Sequence, residues 1–248
     1  MIRTLVAAAI CLGLAASASA ETALARSLHL TNNWQVSLDA NGKVTMLQDR
    51  GHLDAVVRDP LERAIQSWTF DPGHIDGQSA PTETMLTLDV TFVASAHDNY
   101  TVRIDDARTG GIIDSVTSKK FMPHFPRDAM RPGLIARVVV KADYDANGKI
   151  IVVQPQPDQG INASKSLQSA AVMAVRNWTI DPERVGGHGV PASVMVPICF
   201  SVVLANTRPP EFACTWTPPG SRSKIENGGA YALAPAATLK SDVIGHAL

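Results

Sequence analysis

Two phrases occur twice in this chain, in the same order. "DANGK" spans Asp39–Lys43 and again Asp145–Lys149, and "WTFDP" at Trp68–Pro72 returns as "WTIDP" at Trp178–Pro182. Gly42 and Gly148 lie 106 positions apart, whereas Trp68 and Trp178, Gly77 and Gly187, and Pro81 and Pro191 all lie 110 apart. The second copy therefore carries four extra residues between its two phrases, where "QPQPDQG" stands. One small unit has been duplicated, and two copies are too few to stack as a solenoid. A length of 248 residues leaves room for two such units.

Each unit reads as strand–strand–helix–strand. "WQVSLDANGKVTMLQ" and "ARVVVKADYDANGKIIVVQ" are β-rich on both sides of Asn41-Gly42 and Asn147-Gly148. Asn-Gly between such runs predicts a two-residue hairpin turn with positive φ at both central positions. A helix follows. In the first unit Asp59 is placed as its N-cap, Pro60 at its first position and Glu62 at its third, with Leu61, Ala64, Ile65 and Trp68 on one face. In the second unit Leu167, Ala171, Ala174, Val175 and Trp178 form the matching stripe. Pro72 and Pro182 prevent either helix from continuing. The last strands, "TMLTLDVTFV" (84–93) and "SVMVPICFSV" (193–202), alternate with Leu86, Leu88, Val90, Phe92 and Val194, Val196, Ile198, Phe200 facing inward. The expected fold class is α+β: two tandem units, each a three-stranded antiparallel sheet with helical cover on one face. Trp68 and Trp178 are expected to anchor helix to sheet; the alternative is that they stack on a ligand.

The ends and the join carry their own signals. "MIRTLVAAAICLGLAASASA" has a basic start, a short apolar run and small residues at Ala18-Ser19-Ala20, which reads as a secretory signal peptide cleaved before Glu21. The rival is a retained anchor, although the run is shorter than the ~20 residues that span a bilayer. Beyond this segment two cysteines remain, Cys199 and Cys214, on either side of "NTRPPE". An exported compartment permits them to form a disulfide; the alternative is two unconnected thiols. "DNYTVRIDDARTGGIIDSV" (98–116) predicts a hairpin turning at Gly110-Gly111. The residues after about 205 are rich in Pro, Gly and Ser, so a strand around "EFACTW" beside the last strand and then a mobile tail are expected. The divisions are thus 1–20 for the signal peptide, 21–95 for the first unit, 96–120 for the join, 121–205 for the second unit and 206–248 for the tail.

Chemistry is sparse. A formal net charge of −1 gives no reason to expect nucleic acid or an anionic surface as partner. Asp143-x-Asp145-x-Asn147-Gly148 imitates the start of a calcium loop, but position twelve is Gln154 where a bidentate Glu is needed. Ser221-x-x-Lys224 matches a catalytic tetrapeptide without any of its partner motifs. His29, His52, His74, His97, His124, His188 and His246 are scattered, with no pair at metal-ligand spacing on a helix. No phosphate-cradling loop, dinucleotide fingerprint or nucleophile elbow occurs. The expectation is therefore no enzyme, no cofactor, no metal and no small-molecule substrate, with a hydrolase of unrecognised site as the outlying alternative.

"PHFPRDAMRPGLIARVVVKADYDANGKIIVV", followed by "SAAVMAVRNWTIDP", "GVP" and "VPICF", resembles the C-terminal domain of the TonB energy-transducer family over about 121–205. Phe125-Pro126 stands for that family's Tyr-Pro, Ala129 for its alanine, and Trp178, Pro182, Gly189 to Pro191 and Val196 to Phe200 match its later motifs. Residues 28–95 share the hairpin, "WTFDP" and the last strand, without the Phe-Pro lead-in. The resemblance implies a periplasmic protein-interaction module that takes a partner segment by strand addition along its last strand, as the family does with outer-membrane receptors in TonB-dependent transport. Carried over, the contact residues are Phe125, Pro126, Val194, Val196, Ile198, Phe200 and Val202. The partner is then a protein or peptide, such as a receptor segment. An alternative is an energy-transducer component held at the inner membrane by an uncleaved N-terminal segment.

Overall fold

The computed structural model describes residues 27–94, 100–202 and 214–248. The signal-peptide reading therefore falls outside the described residues. The chain is α+β, built mostly of strands with short helices.

Both halves follow one order of elements. The first runs β1 (Ser27–Leu38), β2 (Val44–Asp49), α1 (Ala55–Ser67), β3 (Phe70–Asp71), a small hairpin of β4 (His74–Ile75) and β5 (Gln78–Ser79), then β6 (Thr82–Ala94). A long strand β7 (Tyr100–Gly110), β8 (Ile112–Ile113) and α2 (Ser115–Lys120) lead to the second half. There the order is β9 (Ile135–Tyr144), β10 (Ile150–Pro155), α3 (Lys165–Val175), β11 (Ile180–Asp181), a small hairpin of β12 (Arg184–Val185) and β13 (His188–Gly189), and β14 (Ala192–Ser201). Two short strands close the chain, β15 (Tyr231–Ala232) and β16 (Thr238–Leu239).

The repeated phrases touch each other. The Phe70 N–H donates to the Gly42 carbonyl at 2.9 Å, and the Ile180 N–H donates to the Gly148 carbonyl at 2.8 Å. Gly42 and Gly148 both sit at φ +77°, and a Cβ on either would come within 1.9 Å and 1.8 Å of the Phe70 and Ile180 carbonyl oxygens respectively. Each "DANGK" turn is thus pressed against the chain leaving the helix, where no side chain fits. The turn differs from the expected two-residue form. Only the glycines have positive φ, Gly42 N–H donates to Asp39 O, and the Asp39 carboxylate accepts from the Asn41 and Lys43 N–H groups. This is a type I turn closed by a left-handed glycine, and Asp145 repeats it.

The helices cover one face of each sheet as expected. Leu61, Ile65 and Trp68 join Trp34, Val36, Leu86, Leu88 and Val90 in the first core. Leu167, Ala171, Val175 and Trp178 join Val138, Val140, Val194 and Val196 in the second. The Trp178 indole N–H donates to the Phe121 carbonyl, so the ring is held at both its apolar body and its polar end. Pro72 is buried and Pro182 half-buried beyond the helix ends. One boundary is corrected: α1 begins at Ala55 with Asp54 as N-cap, so Pro60 lies inside it and Asp59 pairs with Arg58. The proline's missing N–H falls in a surface turn, where Val56 is 87% exposed.

Each sheet has a fourth strand beyond the expected three. The order in the first is β2-β1-β6-β7, all antiparallel, and in the second β10-β9-β14-β15. The expected hairpin at Gly110-Gly111 does not form. Residues 100–110 are one strand paired along β6, and beyond Gly111 β8 pairs instead with β11 of the second half. The β12–β13 hairpin also crosses over, extending the first sheet through Arg184↔Glu83 and Val185↔Thr82.

The expected mobile tail is instead tied down from Cys214 onward. It lies along β14, passes Glu183, pairs Thr238-Leu239 with β3, and ends hydrogen-bonded to β7 through Gly245 N–H to Ile104 O and Leu248 N–H to Val102 O. Ala237 is fully buried in the first core, and Val243 nearly so. Local composition suggests looseness; what holds the segment is its contacts with residues far away in sequence.

Candidate partner-binding edge

β14 is the last long strand of the second half, paired on one side with β9 over all ten residues. Its side chains alternate. Val194, Val196, Ile198 and Phe200 point into the core and are at most 3% exposed. They are core residues and cannot themselves touch a partner. What the strand presents outward is the backbone of the residues between them. Phe125 packs edge-on to Phe200, with ring centroids 5.6 Å apart, and Pro126 leads into a short turn where its carbonyl accepts the Ala129 N–H. Val202 is half-buried, and its N–H and C=O bond to Leu134 and Gly133 on the β9 side. The structure thus brings Phe125 to the far end of β14, and leaves Val194 and Val196 buried under α3.

The outer edge is already covered. Tyr231-Ala232 pair with Met195-Val194, Leu233 N–H donates to Ser193 O at 3.0 Å, and Gly228 N–H donates to Pro197 O at 2.8 Å. The Cys199 N–H donates to the Asn227 side-chain oxygen. Pro197 has no N–H of its own to offer on this side, a common device for limiting strand addition at an edge. The strand expected around "EFACTW" lies partly outside the described residues; of it, Trp216 pairs with Ile225 rather than with β14. Cys199 and Cys214 are joined in a disulfide, which ties the start of this strap to the strand. On the outer face Val139, Met195, Trp216 and Ile225 form a small buried cluster with Tyr231 against it. Tyr231 and Trp216 meet edge to face at 6.2 Å. Around Val139 and Met195, a part of the sheet face that would otherwise be solvated is covered.

Glu183 holds the junction. It lies between β11 and β12 and is 2% exposed. Its carboxylate accepts from Thr84 of β6 at 2.6 Å, from the Ala236 N–H at 2.5 Å and from the Ala237 N–H at 3.2 Å. First half, second half and strap thus meet at one carboxylate. Burial pushes its pKa above the ordinary value, against the pull of those three donors. Tyr144 nearby is pushed up to about 12, by burial and then by the Glu183 charge, and its hydroxyl has no hydrogen-bond partner among the described residues. Asp143, on the outer face, is held below its usual value by the Ser193 hydroxyl and by Lys141.

Among the described residues no group of three or more His, Cys, Asp or Glu side chains is placed to hold a metal ion; Asp145 closes the hairpin turn, and Asp143 accepts from Ser193 and pairs with Lys141. No helix among them is long and apolar enough to cross a membrane.

Residues 122–202, which include Phe125, the "DANGK" turn, α3 and β14, match the family model of the Gram-negative bacterial TonB protein C-terminal. They are a TonB C-terminal domain. Protein TonB from two strains of Xanthomonas campestris pv. campestris is 28% identical over 93 residues, or 38% of this chain and 40% of each relative. The chain thus spans well under half the length of these curated relatives. No solved structure matches. In this TonB C-terminal domain the matched motifs are mostly scaffold. Gly148 and Gly189 sit where a Cβ would strike the Ile180 and Ala146 carbonyl oxygens, and Trp178 anchors the helix. The residues governing the edge, Asn227, Gly228, Tyr231, Leu233 and Glu183, escaped the sequence reading. Beyond Cys214, two aromatics in a Pro- and Gly-rich segment, Trp216 and Tyr231, are a further signal that the segment is held.

Proposed function

We propose that this chain is an exported, periplasmic protein-interaction module with two tandem TonB-C-like units, the first a degenerate copy of the second. It binds an extended segment of a protein partner, such as an outer-membrane receptor, by strand addition along the outer edge of β14. One observation carries this reading: the domain's last strand offers an outward edge, and an extended segment of the same chain is already added there. Strand addition draws affinity from backbone hydrogen bonds, so burial of Val194–Phe200 is no obstacle to it. The Phe125-Pro126 segment lies at the end of the same strand and supplies a second contact. The N-terminal segment, in this reading, is removed before Glu21.

The test is a backbone-amide titration of the purified chain with receptor-derived segments, in oxidised and reduced form. Shifts concentrated at Ser193–Val202 and near Phe125, larger on reduction, are the expected result. An unmoved β14 in both redox states rejects strand addition at this edge. N-terminal sequencing of exported protein separates this reading from a membrane-held transducer component, for which Met1 stays in place.

A further inference from the structure

The strap is held unevenly along its length. Against β14 it has two ladder pairs, two further backbone bonds and the Asn227 amide, whereas β9 holds the other side of β14 through ten pairs. Downstream, Ala236 and Ala237 are gripped by Glu183, Leu239 by β3 and Leu248 by β7. Upstream, Trp216 and Ile225 are buried against Val139 and Met195. The stretch between can therefore leave the edge while both of its ends stay seated.

What sits on the edge also shows what fits it. The aromatic ring of Tyr231 stands edge-on to Trp216. The next residue has to be small, because Ala232 lies against β7: a Cβ on Gly110 would stand 2.4 Å from the Ala232 Cβ. Leu233 is 48% exposed, so its side chain is not selected, but its N–H is used by Ser193.

We propose that Asn227–Leu233 is an intramolecular stand-in for the partner, and that the β14 edge accepts an extended segment with an aromatic residue followed directly by a small one, in exchange for Tyr231-Ala232. This rests on the strand-addition reading and adds to it a sequence demand and a built-in competitor.

The experiment titrates the isotope-labelled whole chain with Gly-Gly-Ala-Tyr-Ala-Leu, which copies the strap, with the same peptide carrying Ser for Tyr, and with the same peptide carrying Glu for the second Ala. The copy is expected to shift the amides of Ser193–Cys199 while those of Ala237–Leu248 stay, and to lose at least tenfold in affinity with either change. Leu233→Pro, which removes the donor to Ser193, is expected to tighten the copy at least tenfold. Tyr231→Ser loosens the strap without touching its backbone, and reads the same effect if the proline disturbs the fold. If the three peptides bind alike, or neither variant tightens binding, the stand-in is overturned, and shifts at β14 with receptor-derived segments then leave strand addition standing. If no peptide moves β14 in wild type or variants, both readings fall.

Discussion

Glu183 shows how much a single buried carboxylate settles in this molecule. Its folded pKa is raised by burial above the unfolded value of 4.5, so its contribution to stability is fully present below that value and is lost as pH rises through the folded pKa. Glu183→Gln removes the titration while keeping an oxygen for Thr84 and Ala237. The urea midpoint of wild type relative to the Gln variant is therefore expected to fall as pH rises from about 4 to 8; equal slopes reject the assignment. Glu183→Ala leaves two strap N–H groups and the Thr84 hydroxyl without their acceptor, and is expected to cost about 3 kcal/mol by the same measurement. Tyr144 points the other way. Its buried hydroxyl has no partner among the described residues, so Tyr144→Phe is expected to leave the midpoint unchanged or raise it by up to about 1 kcal/mol.

At the scale of elements, the turn and the helix exit act as one joint. Gly148→Ala must both hold φ at +77° and displace the Ile180 carbonyl, and is expected to cost at least ~2 kcal/mol in denaturant unfolding, with Gly42→Ala matching it. The repeat was legible because "DANGK" and the Trp–Pro phrase are local strings. Their contact was not, since Gly148 and Ile180 are far apart in sequence and nothing periodic links them. The core stripes were legible for the opposite reason: Leu61 and Ile65, or Val194 to Phe200, recur at the helical or strand period. The start of α1 was misplaced because Asp59-Pro60 imitates a cap within a helix that tolerates a proline. The cysteine pairing was legible from count and spacing, and with it a segment held beside the last strand, but not that Gly228 and Tyr231 to Leu233 are the residues that cover the edge. Replacing Cys199 and Cys214 by Ala is expected to lower stability by roughly 3 kcal/mol, read from the urea midpoint, because it opens a short loop.

Across the whole molecule, the closing segment makes two similar halves dependent on each other. It was read as loose because two-residue strands such as β15 and β16 are too short to leave a pattern, and because Pro and Gly are turn formers wherever they occur. Removing Ala236–Leu248 takes Ala237 and Val243 out of the first core and uncovers β7. The expected result is faster amide exchange at Val102 and Ile104 and greater self-association in sedimentation, with β9 and β14 staying protected. Equal loss of protection in both halves would show that the halves unfold as one.

The burial of Ala237 and Val243 in the first core also has a meaning in time. Synthesis runs from the N-terminus, so β1, β2, α1 and β6 are made early, yet the core they enclose lacks two of its side chains until the closing segment is added. Until that segment arrives the chain carries an unfinished core and an unpaired strand edge, the condition in which a folding protein most needs a chaperone. The half written first is the half finished last.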